Sequence, residues 1–341
     1  MSYLEENLSL KKELRFKNGK FRILCVSDFH GVVNYDRRLV RDFCALLDGT
    51  NPDLVLLLGD IVWKDAAESA DTVRAFLTAA TACLEERGIP WAHSFGGHDD
   101  ERGVSNDEQE GIYESFPHCI SKRGPAEISG TANFVLPVKS SDGSRIVYNV
   151  WGLDSHDGAA DFAREFGLKE DLWWMYLPDN FALDSHDDTF RFDQLMWYWQ
   201  SSCELEKYAG AKIPGLMVTH MPLQEYILLY KNPAQTLYRG TRREHCGCNM
   251  INSGMFSTLV QRGDVKTFIC GHDHINDCEG TYCGVKLAYD AGLNYDGYCD
   301  DDLRGGRIVD VDESDPWNVN TYMVYSKDYV KDYPGEEVRG E

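Results

Sequence analysis

Basic residues are scarce in this sequence: 34 Lys and Arg stand against 56 Asp and Glu, and the formal net charge is −22 at pH 7. Because such a chain repels both a nucleic-acid duplex and an anionic membrane surface, we expect neither as a partner. Any anionic substrate would then need local positive charge where it binds, and a bound metal ion is one source of such charge.

Long apolar runs are also missing. No stretch approaches the roughly 20 apolar residues of a membrane-spanning helix, and the N-terminal sequence MSYLEENLSLKKELRFKNGKF has no apolar segment typical of a secretory signal. The cysteines number eleven, which is odd, and several lie in strand-like runs, as Cys25 and Cys270 do. Such cysteines typically act as small buried hydrophobes. We therefore expect a protein of the reducing cytoplasm, with the CxC of Cys246 and Cys248 as a weak zinc or disulfide signal.

A Pro- or Ser-rich linker is lacking too, which favours a single domain over residues 21–325. Residues 1–20 are predicted as an N-terminal extension and residues 326–341 as a polar C-terminal tail. Residues from about 154 to 208 are rich in Trp, Tyr, Asp and Phe and are predicted as an insertion within the domain. The sequence DQLMWYWQSSCELEKY predicts one amphipathic helix at the end of this insertion.

Two local features of the insertion leave alternatives open. The tetrapeptide DSHD occurs at 154–157 and again at 184–187, but the surrounding residues do not match, so it does not indicate a repeat. Trp173, Trp174 and Tyr176 are able to stack on a ring of a substrate, although a place in the core is the more frequent role of such residues.

Six apolar runs end in Gly, Asp or His and predict strands: FRILCVSD, LVLLLGD, WAHSF, IVYNVWGLD, GLMVTH and KTFICGH. Runs that are apolar throughout are typical of strands covered on both faces. Between the first three runs, Asp36 to Leu47 and Asp71 to Arg87 show helical stripes. This alternation indicates an α/β fold. Later strands, with fewer helices between them, indicate a second sheet.

Ligand-type side chains follow five of these strands, where open α/β sheets place functional residues. They are Asp28, His30, Asp60, His98, Asp99, His220, His272 and His274. In DxH and HxH the spacing of two places both side chains on the same side of an extended chain. Mixed carboxylate and imidazole ligands suit Zn, Mn or Fe better than Ca. Each of these motifs alone is common in turns and cores, whereas five such motifs in this order favour a metal centre.

In this order the blocks resemble those of the calcineurin-like metallophosphoesterases: DxH, GD, GNH(D/E), a later H, and GHxH. Here they read Asp28-Phe29-His30, Gly59-Asp60, Gly96-Gly97-His98-Asp99, Thr219-His220-Met221-Pro222 and Gly271-His272-Asp273-His274. Within that superfamily the chain looks most similar to the purple-acid-phosphatase-29-like and Dcr2-type branch, through HMPLQEY, NSGMF, RGDVKTFICGHDHIND and GLNYDGY. The resemblance covers roughly residues 20 to 310.

The resemblance implies a four-layer α/β/β/α fold, with two packed mixed β-sheets flanked by helices. It also implies a ligand set of Asp28, His30 and His274 for one metal, His220 and His272 for the second, and Asp60 as the bridge. His98 would stabilise the transition state or protonate the leaving oxygen. Asp99 or Asp273 would orient neighbouring imidazoles.

The implied function is hydrolysis of a small-molecule phosphate mono- or diester by a metal-bound hydroxide, with two divalent or trivalent ions (Mn, Fe or Zn) as cofactors. Arg242 and Arg243 could supply a phosphate-binding cation, although a solvated loop is the more frequent role. Tyr295 and Tyr298 could stack on a substrate ring or belong to the core. The sequence leaves the substrate, the metal and the oligomeric state open.

Two departures from the family pattern bear on the mechanism. The family's third block carries an asparagine that binds the second metal, and Gly97 stands in its place, so we expect a weakened second site. Water, a backbone carbonyl or the carboxylates Asp99, Asp100 and Glu101 are candidates to fill the gap, and His93 is a less favoured one. Trp63 replaces the tyrosine that binds ferric iron in purple acid phosphatases, so we expect no purple colour. The alternative that Gly97 supports is a catalytically poor relative that acts as a binding or scaffold protein.

Overall fold

Two β-sheets organise the protein in its computed structural model, which describes residues 12–167, 187–249 and 251–339. The strands are β1 Leu14–Arg15, β2 Lys20–Val26, β3 Leu54–Leu58, β4 Trp91–Ser94, β5 Phe134–Lys139, β6 Ile146–Gly152, β7 Gly215–Val218, β8 Val265–Cys270, β9 Glu279–Tyr282, β10 Val285–Tyr289, β11 Gly305–Asp312 and β12 Asn320–Tyr325. The α-helices are α1 Arg38–Thr50, α2 Ala70–Arg87, α3 Asn106–Tyr113, α4 Ala159–Glu165, α5 Phe192–Ala209, α6 Tyr226–Lys231, α7 Pro233–Thr236, α8 Met255–Arg262 and α9 Ser326–Tyr329. A 3₁₀ turn, Lys64–Ala67, precedes α2.

Both sheets are mixed, as predicted. The five-stranded sheet has the order β12-β11-β2-β3-β4, and the seven-stranded sheet has the order β1-β5-β6-β7-β8-β10-β9. Strands β2, β3 and β4 run parallel, as do β6, β7, β8 and β10. Parallel strands present their carboxyl ends at one edge, so each sheet brings several strand exits together.

Three apolar cores separate four layers, which confirms the predicted α/β/β/α arrangement. Along β2, Leu24 and Val26 face the core shared with α1 and α2, whereas Ile23 and Cys25 face the core between the two sheets. Helices α5 and α8 cover the outer face of the seven-stranded sheet. A strand covered on both faces has no solvent-facing position, which explains why β2 is apolar at nearly every residue.

The predicted secondary structure is confirmed where the sequence was most periodic. The six apolar runs form β2, β3, β4, β6, β7 and β8, and the three predicted helices form α1, α2 and α5. Helix α2 begins at the N-cap Ser69, which accepts a hydrogen bond from the backbone N–H of Thr72, and ends at Gly88 in the left-handed conformation.

The segments that precede and follow the predicted domain in the sequence both contact it. Strand β1, inside the segment predicted as an N-terminal extension, pairs with β5 and buries Leu14. On the other side, Tyr329 of α9 packs against Gly49 of α1, and the carbonyl of Val338 accepts a hydrogen bond from the backbone N–H of Arg37 at 2.8 Å.

The predicted insertion is described in part. Its late helix is present as α5, and Tyr198 on that helix packs edge-on against Trp151 of β6, with ring centroids 5.2 Å apart. Trp173, Trp174 and Tyr176 lie outside the described residues. All eleven cysteines lie within the described ranges and all are free. Within those same ranges, each helix is too short or too polar to cross a membrane.

A buried guanidinium joins the two sheets. Arg307 on β11 is 1 % exposed, and it donates hydrogen bonds to the carboxylate of Glu279 at 2.6 Å, to the carbonyl of Tyr289 at 2.6 Å and to the carbonyl of Asp277 at 2.7 Å. Glu279 also accepts a hydrogen bond from Arg239, whose side chain is 62 % exposed. One carboxylate therefore has a buried and an exposed basic partner.

We expect Arg307→Met to lower the free energy of unfolding by about 3–5 kcal/mol, because it leaves the buried Glu279 without its buried countercharge. Arg239→Met is the matched control, since it removes the exposed partner of the same carboxylate and should cost about 1 kcal/mol or less. Urea unfolding of both variants measures the difference. Equal losses in the two variants would contradict a special role of Arg307 in joining the sheets.

Candidate metal centre

The side chains predicted as metal ligands meet where strands of both sheets end. They follow β2 and β3 in the five-stranded sheet and β7 and β8 in the seven-stranded sheet. The six residues are Asp28, His30, Asp60, His220, His272 and His274, of which only His272 is partly exposed. A hydrogen bond from the backbone N–H of His272 to Oδ2 of Asp28, 3.1 Å long, connects the two sets of loops.

A left-handed backbone positions four of these six residues. The φ angles are 53° at Asp28, 46° at His30, 53° at Asp60 and 70° at His272. The strands end earlier, at Val26 in the case of β2. The expectation that DxH and HxH spacing works through strand alternation is therefore wrong, because the chain has already turned. Non-glycine residues adopt this conformation at a cost of about 1–3 kcal/mol each, and such strain concentrates at functional sites.

The ligand atoms form two groups that share one carboxylate. The first group holds Asp28, His30, Asp60 and His274, and the second holds Asp60, His220 and His272; within each group the atoms lie within 4.8 Å of one another. Oδ2 of Asp60 lies 3.5 Å from Nε2 of His30 and 3.3 Å from Nε2 of His220. Asp60 thus occupies the bridging position that the resemblance implied.

For His220 and His274, a hydrogen bond on the side of the ring away from the site determines which ring nitrogen faces the site. Nδ1 of His220 donates to the carbonyl of Leu58 at 2.8 Å, and Nδ1 of His274 donates to the carbonyl of Tyr298 at 2.7 Å. Their Nε2 lone pairs therefore point inward. His272 has the opposite orientation: its Nδ1 lies 3.2 Å from Nε2 of His220. Metal-binding histidines typically have their other nitrogen fixed in this way.

Charges in the site favour ionised ligand carboxylates, and protonated imidazoles at His220, His272 and His274, when no cation is present, whereas burial lowers the pKa of His30. Burial alone would raise the pKa of Asp60, but the neighbouring imidazoles, His220 foremost, lower it below its usual value. Burial acts to lower the pKa of His220, and the Asp60 carboxylate outweighs it and raises the pKa to about 9. Cations compete with protons for such groups, because a ligand nitrogen must be deprotonated to bind metal.

The donor set fits metal ions. Oδ1 of Asp28 is buried and lies 3.2 Å from Nε2 of His274 without the geometry of a hydrogen bond. Nε2 of His30 lies 3.0 Å from the same nitrogen of His274. Two imidazole nitrogens and a carboxylate oxygen that point at one another, with protein on all sides, are best satisfied by a cation among them.

His98 lies at the edge of the first group. Its side chain is 39 % exposed, and its Nε2 lies 4.0 Å from Oδ2 of Asp60. Its Nδ1 is hydrogen-bonded to Oε1 of Glu101 at 2.6 Å. Its ring lies 5.1 Å from that of His30 and 5.7 Å from that of Trp63. The imidazole therefore has one nitrogen held by a carboxylate and the other directed toward the site.

Asp99 binds backbone and does not orient an imidazole, contrary to prediction. Its carboxylate accepts hydrogen bonds from the backbone N–H groups of Asp60, Ile61, Val62 and Gly96, at 2.8–2.9 Å. Burial and the nearby charge of Asp60 raise the pKa of Asp99 to about 7. Asp99 is thus a positioning residue for the turn that carries Asp60.

Asp273 is placed differently from its prediction as well. Its carboxylate accepts hydrogen bonds from the backbone N–H of Gly247 at 3.1 Å and from the side chain of Asn276 at 3.2 Å. It holds the loop around Gly247 against the face of His272, where a Cβ on residue 247 would lie 2.5 Å from the imidazole. Asp273 therefore shapes the wall of the site through the backbone.

The gap left by Gly97 is not filled by the residues proposed for it. Glu101 is bound to His98, and His93 lies buried on β4 between Ser121 at 2.7 Å and Glu110 at 2.8 Å. Among the described residues, neither they nor Asp99 and Asp100 belong to the two groups of ligand atoms.

Residue 97 also has no conformational need for glycine. Gly97 lies outside the left-handed region of φ, and a Cβ there would lie 3.2 Å from the carbonyl of Asp157 and 3.5 Å from the methyl group of Met221. The first of these contacts is tight, so the Asp157 loop would have to move by a few tenths of an ångström.

Sequence reasoning missed one residue of the site, Asp187. Its Oδ1 lies 3.1 Å from Nε2 of His272, and its side chain is 10 % exposed. It is the last residue of the second DSHD tetrapeptide, but no motif of the family points to it. The signal available was a carboxylate within the aromatic-rich insertion that precedes β7, a strand of the site.

The groups open onto a cleft of about 350 Å³. Trp63 and Tyr298 form parts of its wall, and Tyr298 stacks on His274 with ring centroids 4.0 Å apart. Within the described ranges, no Lys or Arg lines this cleft. Arg242 packs over the ring of Tyr230 at 4.0 Å, and Arg243 pairs with Asp300.

The structure also bears on the alternatives left open for Tyr295 and for the cysteines Cys246 and Cys248. Tyr295 bonds Asp42 at 2.7 Å and packs against Arg38 and Arg304. Cys246 and Cys248 are buried, and no cysteine belongs to a group of metal-ligand side chains in the part of the chain that the structure describes. A zinc module built on the CxC sequence therefore has no support from the geometry.

The chain is similar in sequence to known proteins over most of its length. The family model of the calcineurin-like phosphoesterases matches residues 21–276. Two Arabidopsis thaliana proteins, named probable inactive purple acid phosphatases 14 and 29, are each 29% identical to this chain, across 84% of it and 74% and 76% of their own lengths. The phosphatase DCR2 of Saccharomyces cerevisiae is 26% identical, across 78% of this chain and 45% of its own.

A solved structure supports the fold. The crystal structure of a dimetal phosphatase from Danio rerio superimposes with a TM-score of 0.53 at 13% identity, and the match covers 89% of this chain and 98% of that protein. At this identity the likeness concerns the arrangement of sheets and helices. The family model, by contrast, spans well over half of the chain and includes Asp28, His30, Asp60, His220, His272 and His274. The chain therefore belongs to the calcineurin-like phosphoesterase family.

Proposed function

We propose that this protein hydrolyses a small-molecule phosphate ester, either a monoester or a diester, at a dinuclear metal site whose second position is weakened. The observation that carries the proposal is the sharing of Asp60 between two buried groups of ligand atoms. A carboxylate between two sets of imidazoles, at the base of an open cleft, is the arrangement that a two-metal hydrolase needs.

When bound, two such cations polarise the phosphoryl oxygens and lower the pKa of water. Mn, Fe or Zn are the proposed ions, because the ligands are carboxylate oxygens and imidazole nitrogens. Trp63 stands beside His30, with ring centroids 5.0 Å apart. An indole provides no phenolate oxygen, so the proposed site does not include the ferric charge-transfer chromophore of purple acid phosphatases.

The chain's own residues supply the rest. His98 faces the cleft with Nε2, and Glu101 holds its Nδ1 at 2.6 Å. This pairing keeps the ring in one orientation, with Nε2 placed to deliver a proton to the leaving oxygen. The cleft lacks Lys and Arg among its described lining residues. The cations therefore provide most of the attraction for phosphate.

The alternative is a member of the family that binds metal without efficient turnover. Gly97 favours it, and so do the names of the two Arabidopsis relatives, which call them inactive. Against it, the six ligand side chains converge and His98 is directed at them, an arrangement that scaffolding alone does not require. A location in the cytoplasm and the absence of nucleic-acid and membrane partners remain predictions from the sequence.

We expect hydrolysis to require added divalent metal and Asp60→Ala to abolish it, because Asp60 serves both groups of ligands. A screen of the chelated and metal-supplemented protein against phosphate mono- and diesters measures this. Asp48→Ala is the control, since it removes an exposed carboxylate, 64 % accessible, that pairs with Arg87 far from the cleft. Equal rates with and without metal would contradict the proposed mechanism.

His98→Ala should lower turnover by roughly 10²–10⁴-fold, the usual scale for a general acid, while metal content stays nearly unchanged. Glu101→Gln should cause a smaller loss, because the amide oxygen still accepts a hydrogen bond from Nδ1 but holds the ring less strongly than a carboxylate does. Turnover and metal content are measured on the same samples. Loss of metal together with activity would show that His98 is a ligand recruited to the gap at Gly97.

Gly97→Asn should tighten the second site and raise the rate at low metal concentration, since it restores an oxygen ligand. Gly97→Ala is the matched control: its Cβ meets the same carbonyl of Asp157 at 3.2 Å but carries no amide. Calorimetric titration of the metal-free protein should resolve two unequal classes of site that converge only in the Asn variant. Two equally tight sites in the parent protein would refute the weakening.

A further inference from the structure

We infer that Asp187 is the positioning residue of the second metal site, and that it supports His272 where the family's asparagine is absent. The inference rests on the dinuclear site proposed above and adds to it a residue outside the family's motifs. Asp187 acts through His272, because it does not belong to either group of ligand atoms.

The contact with His272 determines which ring nitrogen carries the proton. Oδ1 of Asp187 lies 3.1 Å from Nε2 of His272, while Nδ1 of the same ring lies 3.2 Å from Nε2 of His220. A carboxylate accepts hydrogen bonds and cannot donate when ionised. Nε2 of His272 must therefore carry the proton, and the lone pair of Nδ1 is left facing the second group.

A negative charge on the far side of the His272 ring also makes this imidazole a stronger metal ligand. A carboxylate that accepts the far N–H of a metal-binding imidazole raises the basicity of the other nitrogen, and loss of such a partner typically costs about 10–100-fold in metal affinity. His220 and His274 have neutral carbonyl partners in the same role. Within the described chain, His272 is the imidazole of the two groups whose far nitrogen contacts a carboxylate.

The second oxygen of Asp187 is unsatisfied within the described part of the chain. Oδ2 is buried and has no hydrogen-bond partner among the described residues. A buried carboxylate with one unsatisfied oxygen costs free energy, unless a positive charge lies nearby. A cation held by His220 and His272 provides that charge, so the oxygen indicates a function in metal binding better than one in stability.

The backbone around Asp187 is held firmly. Nδ2 of Asn249 donates to the carbonyl of Asp187 at 2.6 Å. The next residue, Asp188, forms a two-bond salt bridge with Arg191, at 2.7 and 3.0 Å, at the start of α5. Since its carbonyl and the following residue are both held, the Asp187 carboxylate is presented to His272 without a large entropic cost.

The segment that carries Asp187 reaches the site from the side of residue 97. A Cβ on Gly97 would lie 3.2 Å from the carbonyl of Asp157, and the following residue, Gly158, forms a β-bridge with Asp187. Residue 97, which lacks a side chain, and the carboxylate of Asp187 therefore lie at the same edge of the second group of ligand atoms. Asp187 strengthens a remaining ligand there and does not replace the lost one.

Metal titration of the apo-protein tests this without reference to turnover. With Mn²⁺ as the probe in calorimetry, Asp187→Ala should weaken the second class of site by about 10–100-fold and leave the first class unchanged. Asp187→Asn should have an intermediate effect, because its amide oxygen still accepts the N–H of Nε2 but carries no charge. It also serves if the Ala variant does not fold.

Glu244→Gln is the matched control. Glu244 lines the same cleft with the same charge, but it bonds Tyr298 at 2.8 Å and the backbone of Ile275 at 2.7 Å. It should leave the second class unchanged. ¹⁵N NMR of the histidine side chains in the metal-free protein, recorded at alkaline pH where the imidazoles are neutral, adds a direct readout, since His272 should carry its proton on Nε2 in the parent protein and lose this preference in Asp187→Ala.

Unchanged second-class affinity in both Asp187 variants overturns the inference, and so does an equal loss in Glu244→Gln. A parent protein that binds one ion only overturns it together with the dinuclear site. A parent that binds two ions with the expected Asp187 effect but hydrolyses no ester supports the inference and contradicts only the proposed function.

Discussion

The site depends on four hydrogen bonds to one carboxylate. Asp99 accepts the backbone N–H groups of Asp60, Ile61, Val62 and Gly96, which holds the turn after β3 in the left-handed conformation that Asp60 needs. Asp60 in turn touches both groups of ligands and accepts the backbone N–H of His98 at 2.9 Å. A change at Asp99 therefore reaches both Asp60 and His98, although Asp99 itself is not among the residues that line the cleft.

The two sheets supply different halves of this arrangement. Asp28, His30 and Asp60 come from the five-stranded sheet, and the three imidazoles His220, His272 and His274 come from the seven-stranded sheet. The groups form only if the sheets pack in one register, since each group mixes ligands from both. The buried salt bridge of Arg307 with Glu279 and the apolar core between the sheets fix that register. A change that weakens the packing between the two sheets is therefore expected to disrupt both groups of ligand atoms.

The sequence was sufficient for the parts of the fold that periodicity controls. Six strands were found because a strand covered on both faces must be apolar throughout. Strands β5, β10 and β11 are also largely buried but were not predicted, since Pro137, Lys286 and Arg307 interrupt their apolar runs, and β12 is half-exposed at the edge of its sheet. The ligands were identified by type and order, but their convergence was ascribed to strand alternation when the backbone in fact turns to positive φ at Asp28 and His272. Asp187 could not be found in this way, because its contact with His272 spans 85 positions of the chain. No local pattern records such a contact.

The cleft wall, where the described residues include Asp187, Glu244 and Asp273 but no Lys or Arg, has a thermodynamic consequence. Bound metal ions would add the permanent positive charge that these described residues lack, so we expect cation and phosphate to raise each other's affinity, and linkage requires the two effects to be equal. Free phosphate would then act as a metal-retention factor, holding ions in a site that is one ligand short. The supply of phosphate would thereby influence how much of the protein holds its metal ions.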